Sequence, residues 1–588
     1  MQLKTNFNKY PFVPVRGREK DCVAGWAAIE QELKNALGNK SGSSSVVIVE
    51  TYQGIYYDEL REHFKDALQP NLLIDTAELF LEEKKVREIT QTDVTDDRVF
   101  GFMTRLTMND LMDKRKLLEA TNEVNSAKQS TIVIYGYGAS LVHDHPDLMI
   151  YADMARWEIQ LRMRANEVNN LGIKNLNELP ELKYKRAYFV DWRICDRLKK
   201  DTIDHWDYVL DTNISSQPKL AKADAVREGL VQASKQPFSV VPFFDPGPWG
   251  GQWMKEKFEL DKEKNNFAWC FNCVPEENSL LLGFGDIHFE IPSINVVFYR
   301  PIQLLGNSVH GRFGDEFPIR FDFLDTMSGG NLSLQVHPLT EYMHEKFGVA
   351  YTQDESYYML DAGSDASVFL GLKEGVNPDE MTKELKIAEA EGGEFDVDKF
   401  VESWPAKKHD HFLIPAGTIH CSGANGMVLE ISATPYIFTF KLYDWGRTNL
   451  DGKPRAINVE HGLKNIQWNR TTDWTRKNLV NQIEKVAEGN GWAEEKTGLH
   501  EREFIETRRH WFTKQVDHHT HDGVNVLTLI EGDEIIVESP DHTFKPFIVH
   551  YAETFIVPAS VGKYTIRPYG VSKGSVCATI KAFVRSNP

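Results

Sequence analysis

The first third of the chain alternates short apolar runs with stretches of helical periodicity. The apolar runs have the length of strands and comprise residues 46–50, 71–75, 131–135, 148–152 and 187–190. Apolar positions recur at helical spacing through residues 59–68 and 156–166, which lie between those runs. This alternation predicts a parallel sheet with helices on both faces.

The pattern changes after an amphipathic stretch, residues 219–236, which predicts a helix. Residues 237–251 (PFSVVPFFDPGPWGG) are rich in proline and glycine and predict a domain boundary. Many short strand-like runs separated by turn residues follow, as expected for a β-sandwich or jelly-roll barrel. Residues 378–404 interrupt them with helical character. The segment FLIPA at Phe412 is echoed by FIVPA at Phe555, which suggests an internal duplication of the barrel.

A set of potential metal ligands lies in the first of these barrels. Gln335 and His337 are two apart in a predicted strand, so their side chains point to the same face. Glu355 begins the next predicted strand, and His420 follows the turn Pro-Ala-Gly that ends the strand 412–414. Two imidazoles, a carboxylate and an amide form a mixed nitrogen and oxygen shell. Zinc suits this shell best, and manganese, iron and cobalt remain open.

Five ordered motifs around these residues resemble the class I (zinc-dependent) mannose-6-phosphate isomerases, a cupin family. They are FPIRFDFLDTMSGGNLSLQVHP, TQDESYYMLDAG, FLGLKEG, HFLIPAGTIHCSGANGMVLEIS and KLYDWGRTNLDGKPR, preceded by PWGGQWMKEKF. The resemblance runs from about Pro242 to the C-terminus. It implies a double cupin fold, with a catalytic cupin over residues 237–375 and 403–450 and a helical insertion over 376–402. Residues 451–588 would form a helical linker and a second, metal-free cupin, where Lys563 stands in the place of His420.

The same resemblance implies a function and roles for individual residues. It predicts interconversion of mannose 6-phosphate and fructose 6-phosphate through an enediol, with one Zn²⁺ per chain held by Gln335, His337, Glu355 and His420. Arg447 matches an active-site arginine of the family, and Lys373 and Lys441 are further candidates for binding the phosphorylated hexose. The general base stays open, because Gln353 stands where many family members carry an active-site lysine and an amide cannot transfer a proton.

Residues 1–236 loosely resemble uridine-kinase-like P-loop proteins. The segment VVIVETYQG stands where the phosphate-binding loop is expected, yet no GxxxxGK[ST] motif occurs in the chain. Thr51-Tyr-Gln-Gly54 offers one glycine and no lysine for phosphates. We therefore expect a degenerate nucleoside-kinase-like α/β domain with scaffold or interaction roles, so that the whole chain is multidomain.

Net charge and cysteine content limit the classes of partner and the cellular compartment that we expect. A net charge of −19 argues against nucleic acid or an anionic membrane as partner. Six cysteines in 588 residues do not form a disulfide framework, and the N-terminus lacks signal-peptide character, so a cytoplasmic protein is expected. The single CxxC at Cys270 is interpreted as core packing, because no second CxxC exists.

Alternatives to the isomerase interpretation remain. The metal pocket could belong to a non-catalytic sugar-phosphate sensor, which Gln353 favours, or to an isomerase of a different phosphorylated sugar. His519 and His521 form an HxH pair that could bind a metal, although a polar loop is the preferred interpretation. Protein partners and oligomeric state do not follow from the sequence.

Overall fold

The structure is a computed structural model that describes residues 5–38, 44–128, 130–391, 393–434, 438–448, 455–498, 500 and 503–585. These residues form two compact units. The α/β unit comprises Phe12–Gln232 and Ser279–Tyr299, and the β unit comprises Met1–Pro11, Ala233–Asn278 and Arg300–Pro588. Strands are numbered β1 to β31 and helices α1 to α18 in chain order. Among the described residues, no helix is long and apolar enough to cross a membrane.

The α/β unit is built on a mainly parallel sheet in the order β2-β8-β7-β6-β3-β5-β4. Its strands are β2 (Cys22–Ala24), β3 (Ser45–Thr51), β4 (Leu72–Asp75), β5 (Thr131–Gly136), β6 (Leu148–Asp153), β7 (Tyr208–Asp211) and β8 (Lys219–Lys222). The central strand β3 is parallel to both β5 and β6, and every residue of β3 is buried. Its run of β-branched residues suits a strand that is covered on both faces. The predicted parallel sheet is therefore present.

Helices surround this sheet, and a separate small sheet completes the unit. The helices are α1 (Trp26–Leu37), α2 (Tyr57–Leu68), α3 (Glu83–Val94), α4 (Met108–Leu111), α5 (Lys114–Ser126), α6 (Arg156–Arg164), α7 (Pro180–Arg186), α8 (Trp192–Thr202), α9 (Ala223–Ala233) and α11 (Ile294–Tyr299). The small sheet has the order β1-β11-β12, with β1 (Phe12–Pro14), β11 (Ser279–Phe284) and β12 (Ile287–Pro292).

Two elements of the α/β unit differ from the sequence prediction. The apolar run 187–190 is not a strand, because Ala187–Asp191 is a π-helical turn that joins α7 to α8. Short apolar runs do not distinguish a buried strand from a buried helix, and here the whole turn is buried. The strand that completes the parallel sheet is Tyr208–Asp211 instead. The predicted helix 219–236 begins as strand β8, and α9 begins only at Ala223.

The segment Ser279–Tyr299 belongs to the α/β unit, although the sequence interpretation assigned it to the first barrel. It contributes a buried amide to an ion pair at the end of β6. Lys199 Nζ lies 2.8 Å from Asp153 Oδ1 and 3.1 Å from Asn295 Oδ1, and Asn295 Nδ2 donates to Asp153 Oδ2 at 2.8 Å. All three side chains are buried. The α/β unit therefore uses residues from both sides of the Pro/Gly-rich junction.

The first barrel of the β unit consists of two facing antiparallel sheets. One sheet has the order β18-β15-β20-β13-β10-β9, and the other β17-β16-β19-β14-β21. The strands are β9 (Phe243–Asp245), β10 (Trp269–Cys273), β13 (Arg320–Asp325), β14 (Leu334–Val336), β15 (Glu355–Ala362), β16 (Ser367–Leu372), β17 (Val401–Pro405), β18 (His411–Ile414), β19 (His420–Ser422), β20 (Gly426–Ser432) and β21 (Phe440–Tyr443).

The second barrel of the β unit repeats this plan. Its sheets have the orders β22-β23-β24-β31-β26-β29 and β25-β30-β27-β28. The strands are β22 (Glu484–Gly489), β23 (Trp492–Gly498), β24 (Ile505–Phe512), β25 (Val516–His519), β26 (Asn525–Glu531), β27 (Glu534–Glu538), β28 (Phe547–His550), β29 (Thr554–Val557), β30 (Lys563–Pro568) and β31 (Cys577–Val584). The echoed segments FLIPA and FIVPA coincide with β18 and β29.

The helices of the β unit lie between strands. They are α10 (Trp253–Lys257), α12 (Pro301–Leu305), α13 (Asn307–Phe313), α14 (Thr340–Phe347), α15 (Pro378–Glu391), α16 (Val397–Phe400), α17 (Val459–Leu463) and α18 (Thr472–Asn478). Helices α15 and α16 fall in the segment 376–402 that the sequence interpretation assigned to an insertion. The expected boundary at residues 450 and 451 lies outside the described residues, as do residues 449–454 of the KLYDWGRTNLDGKPR motif.

We expect Asn295→Ala to destabilise the α/β unit locally. The change leaves one oxygen of Asp153 and one proton of Lys199 buried without their amide partner, at a cost of about 1–3 kcal/mol. This loss lowers the free energy of local opening, so hydrogen exchange in peptides from β6 and α8 should become faster. Asn35→Ala on the exposed face of α1 is the control and should stay within about 0.5 kcal/mol of the parent. Unchanged exchange in Asn295→Ala would show that the amide contributes nothing.

Candidate metal centre

The ligand candidates are brought together by strand register. Gln335 on β14 lies directly opposite His420 on β19, so both side chains project from the same face of their sheet. His337 follows β14 by one residue and keeps the alternation of that strand. Glu355 is the first residue of β15 in the facing sheet. The four side chains therefore converge from opposite walls of one barrel.

The distances between these side chains are short. Glu355 Oε2 lies 3.1 Å from His337 Nε2, and Glu355 Oε1 lies 2.9 Å from His420 Nε2. Gln335 Nε2 lies 3.2 Å from His420 Nε2. The carboxylate and both imidazoles are at least 99% buried, and Gln335 is 8% exposed. His337, Glu355 and His420 each offer a ligand atom within 4.8 Å of the others, a cluster that could hold a metal ion.

The orientation of the rings points to a cation between them. The Nδ1 of His337 lies 2.8 Å from the Phe438 carbonyl oxygen, and the Nδ1 of His420 lies 2.9 Å from the Thr418 carbonyl oxygen. A carbonyl oxygen accepts only, so each Nδ1 carries the proton and each Nε2 presents a lone pair to the carboxylate of Glu355. In the part of the chain that is described, His337 Nε2 and Glu355 Oε1 have no hydrogen-bond partner. Acceptors facing one another in a buried site are stable when a cation lies between them.

The donor set fits a divalent metal ion. Tetrahedral zinc with bonds of about 2.05 Å to nitrogen and oxygen places its ligand atoms about 3.3 Å apart, close to the separations between these side chains. Rotating the Gln335 amide by 180° presents its oxygen at the same point. Neutral imidazoles with one carboxylate suit zinc, although softness alone does not separate it from other first-row metals.

Neighbouring groups hold the ligands in place. Gln353 is buried, donates from Nε2 to Glu355 Oε2 at 2.9 Å, and accepts from the Phe438 N–H at 2.8 Å. The turn before His420 has Gly417 at φ +84°, where a Cβ atom would meet the Asn465 carbonyl oxygen at 2.8 Å. Fixing a ligand through such partners commonly changes metal affinity by about 10–100-fold.

The surroundings favour ionisation of Glu355 and oppose ionisation of two nearby acids, Glu430 and Asp322. Burial opposes ionisation of Glu355, but positive charge on the adjacent imidazoles, when they are protonated, outweighs burial and holds the pKa of this carboxyl below its usual range. A cation between neutral imidazoles would act on the Glu355 pKa in the same direction. Glu430 and Asp322 lie opposite each other on β20 and β13. Burial, reinforced by the charge of Glu355, raises the pKa of Glu430 well above its usual value, and burial raises the pKa of Asp322 to about 7.

A cluster of cations adjoins the ligand set. Lys441 on β21 lies directly opposite Gln335, so its side chain projects from the same face. Arg447 and Arg455 each lie 3.1 Å from a different carboxylate oxygen of Asp444. Burial, with the charges of Arg455 and Arg447, lowers the pKa of Lys441 to about 8. Arg447 and Arg455 thus share one carboxylate, whose charge also acts on Lys441.

The remaining candidates have other surroundings. Lys373, just after β16, donates from Nζ to the Asp398 carbonyl oxygen beside the helical segment. His519 at the end of β25 and His521 on the following loop have ring centroids 4.5 Å apart. Among the described residues they do not belong to a group of three His, Cys, Asp or Glu side chains that could hold a metal ion.

Sequence reasoning missed Arg455, Glu430 and Asp322. Both acids occupy alternate positions of apolar strands, in RFDFLD and GMVLEIS, and this alternation was the signal that could have indicated a polar inner face. Arg455 lies beyond the last strand of the barrel, and no local pattern marks it.

Comparison with known proteins gives the following matches. A family model described as a domain of unknown function (DUF8485) matches residues 25–235. The chain is 26% identical over 240 residues to mannose-6-phosphate isomerase ManA of Bacillus subtilis, covering 40% of this chain and 68% of that protein. It is 27% identical over 217 residues to mannose-6-phosphate isomerase of Streptococcus mutans, covering 37% of this chain and 63% of that protein. These relatives are named mannose-6-phosphate isomerases.

A solved structure is also similar. The mannose 6-phosphate isomerase from Bacillus subtilis matches with a TM-score of 0.48 and 18% identity, covering 59% of this chain and 99% of that chain. The uridine-kinase-like character expected for residues 1–236 finds no support in the family model, whose description assigns no function.

We expect His420→Ala to lose bound divalent metal. The change removes one of the two lone pairs directed at Glu355, and two protein ligands with an amide do not make a closed site. Metal content per chain after dialysis, measured by inductively coupled plasma mass spectrometry, should fall at least tenfold. His344→Ala, on the exposed side of α14, is the matched control and should retain the metal. Full metal content in His420→Ala would refute the ligand assignment.

Proposed function

We propose that this protein is a metal-dependent aldose–ketose isomerase that interconverts mannose 6-phosphate and fructose 6-phosphate. The observation that carries the proposal is the convergence of Gln335, His337, Glu355 and His420 in one buried cluster beside a group of cations. The sequence similarity to proteins named mannose-6-phosphate isomerases supports the choice of substrate. We propose the second barrel as a metal-free companion of the first.

The proposed resident metal is Zn²⁺, one per chain, held by the same four residues. When bound, a divalent cation supplies Lewis-acid stabilisation for negative charge that develops on the substrate's carbonyl oxygen. Glu355 is the single anion among the four ligands, so the occupied site would keep a net positive charge, which strengthens its attraction for an oxyanion. The two Nδ1 hydrogen bonds to backbone carbonyls fix the tautomers that direct both Nε2 atoms inward.

The proposed phosphate site is the cation cluster. Arg447 and Arg455 share Asp444, and Ser333 Oγ donates to the same carboxylate at 2.8 Å, so the guanidinium groups are held in place before a ligand arrives. Guanidinium groups can fork across two phosphate oxygens. Lys441 lies opposite Gln335 in the register of β14 and β21, so it stands between the cation cluster and the ligand set along the sheet. A hexose 6-phosphate could thus be held by its phosphate while its C1 and C2 oxygens reach the metal ligands. Lys373 stays a further candidate for contact with substrate.

A second candidate function is a sugar-phosphate sensor without turnover. Gln353 favours it, because the side chain before Glu355 is an amide that orients the carboxylate and cannot exchange a proton. An isomerase of another phosphorylated sugar is compatible with the same cations and ligands.

For the α/β unit we propose a degenerate kinase-like scaffold. The strand order β4-β5-β3-β6-β7 leaves a crevice at the carboxyl ends of β3 and β6, where such folds bind ligands. The Glu50 carboxylate accepts from the N–H groups of Gly138 and Ser140 at 2.7 and 2.9 Å, so a side chain already occupies that anion nest. Buried thiols at all six cysteines support a cytoplasmic protein.

We expect purified full-length protein to convert mannose 6-phosphate to fructose 6-phosphate in a coupled assay. A chelator should abolish turnover, and added Zn²⁺ should restore it, because the electrophile would be lost and regained. Stabilisation by mannose 6-phosphate without turnover, measured as a rise in Tm, would support the sensor instead. Turnover of another phosphorylated sugar alone would contradict the proposed substrate.

We expect Arg447→Ala to raise the KM for mannose 6-phosphate at least tenfold without changing metal content. The change removes a guanidinium group that would bind the phosphate, and each lost charged contact is worth about 1.5–3 kcal/mol. Arg476→Ala is the control, because Arg476 is exposed and pairs only with the nearby Asp473 among its described ion pairs. An unchanged KM would place the phosphate elsewhere.

A further inference from the structure

The inner face of the second barrel carries polar side chains among its core residues. That core consists of apolar side chains together with Tyr564: Phe512, Val516, Leu527, Leu529, Ile535, Val537, Phe544, Val549, Phe555, Val557, Val561, Tyr564, Ile566 and Cys577. Thr579 and Lys581 on β31 lie directly opposite the core residues Leu529 and Leu527, so they face the interior. His510 on β24 lies opposite Thr579 and faces the interior too.

A second histidine meets His510 from the facing sheet. His518 on β25 lies opposite the core residue Tyr564, and the rings of His510 and His518 have centroids 4.5 Å apart. Both sheets of the barrel therefore contribute to one polar cluster, which we call the His510 cluster: His510, His518, Thr579 and Lys581. None of these residues belongs to the candidate metal centre.

The cluster contains polar atoms whose hydrogen-bonding capacity is unused. His510 Nδ1, His518 Nε2 and Thr579 Oγ1 have no hydrogen-bond partner among the described residues. His510 is 2% exposed, His518 7% and Thr579 0%. An unsatisfied buried polar group costs about 1–3 kcal/mol, so three of them in the interior of one barrel call for an explanation.

Charged side chains of both signs adjoin the cluster. Arg508 lies directly opposite Lys581 on the same face, and like charges in this position destabilise a sheet. Glu494 and Glu506 both pair with Arg508, and Glu494 Oε1, 3.2 Å from Arg508, also lies 3.3 Å from His510 Nε2. Lys581 has no ion pair among the described residues, so its ammonium group is the cation left for a ligand. The side chains of Arg508 and Glu494 are each 21% exposed, so the charged groups next to the His510 cluster reach solvent.

The nature of each atom limits the ligand. His510 Nε2 faces the Glu494 carboxylate and carries the proton, so His510 Nδ1 is an acceptor and needs a hydroxyl or amine donor. Burial lowers the pKa of His510 to about 4, which keeps this ring neutral. Thr579 can donate or accept, and Lys581 donates only. Two imidazoles beside an ammonium group do not suit a metal ion, which needs three or four ligands and no adjacent cation.

We propose that the His510 cluster binds a small hydroxylated anion, with His510 and Thr579 contacting its hydroxyl groups and Lys581 contacting its anionic group. A phosphorylated sugar and a sugar acid share this chemistry. The site is separate from the proposed isomerase site and does not depend on it, since no residue is shared.

The first test compares two isosteric substitutions. Thr579→Val removes a hydroxyl that has no partner, so the ligand-free variant should have an unchanged or higher Tm. Thr507→Val is the matched control, because the Thr507 hydroxyl is equally buried on β24 and lies 2.9 Å from Thr497 Oγ1. The control should have a lower Tm. An equal loss of Tm in both variants would overturn the proposal, because the Thr579 hydroxyl would then already have a partner such as a buried water molecule.

The second test measures binding locally in the full-length protein. Mannose 6-phosphate, gluconate, inorganic phosphate and mannose are added separately, and hydrogen exchange is followed in peptides from β24, β25 and β31. We expect slower exchange with mannose 6-phosphate or gluconate, and at least tenfold weaker binding in Thr579→Val but not in Thr507→Val. Protection by mannose 6-phosphate identifies a phosphate ester as ligand, and protection by gluconate a carboxylate.

Three outcomes of this test overturn the proposal. They are no protection of these peptides by either anion, equal protection by mannose or inorganic phosphate, and unchanged binding in Thr579→Val. Binding of mannose 6-phosphate to the candidate metal centre would protect peptides of β14, β15 and β19 instead, and it should persist in Thr579→Val. If the isomerase proposal failed, hydrogen exchange in β24, β25 and β31 would therefore still test ligand binding in the second barrel.

Discussion

The rest of the candidate site depends on one buried carboxylate placed between two imidazole lone pairs. Removing an ionised carboxylate from water costs several kcal/mol, so Glu355 is retained at this position only with compensation. Its nearest groups on the facing sheet are His337 Nε2 and His420 Nε2 at 3.1 and 2.9 Å, both with their protons turned away to backbone carbonyls. A divalent cation resolves this arrangement, because it converts opposed acceptors into a shared coordination shell.

This constraint explains features of the barrel that packing alone does not require. The Gln335–His420 register must hold, because a shift by one residue would turn both side chains to the opposite face. Gln353 is useful as an amide, because it can donate to Glu355 and accept from the Phe438 N–H at the same time. A lysine in its place could donate to Glu355 but could not accept from that N–H.

The sequence was informative wherever function depends on local pattern. The four ligand candidates rest on strand alternation together with the ordered motifs of the isomerase resemblance, because alternation alone does not separate metal ligands from other polar residues on barrel strands. The structure brings their side chains together. Contacts between residues that are distant in the sequence could not be predicted from it. Arg455 joins the cation cluster only because the chain folds back to Asp444, and Asn295 enters the α/β unit through a segment on the far side of the domain junction. The apolar run 187–190 was ambiguous, because strand and helix can both be fully buried.

The two barrels of the β unit show how one architecture can hold different chemistry. In the first barrel, opposite walls contribute Glu355 and two imidazoles, so a negative charge lies at the centre and a cation is the complementary ligand. In the second, the facing sheets contribute His510 and His518 beside Lys581, whereas Lys563, expected in the place of His420, is exposed. Where the first barrel places a carboxylate beside its imidazoles, the second places the ammonium group of Lys581. A duplicated barrel that keeps its apolar core can therefore change from holding a metal to attracting an anion through a few inward-facing positions.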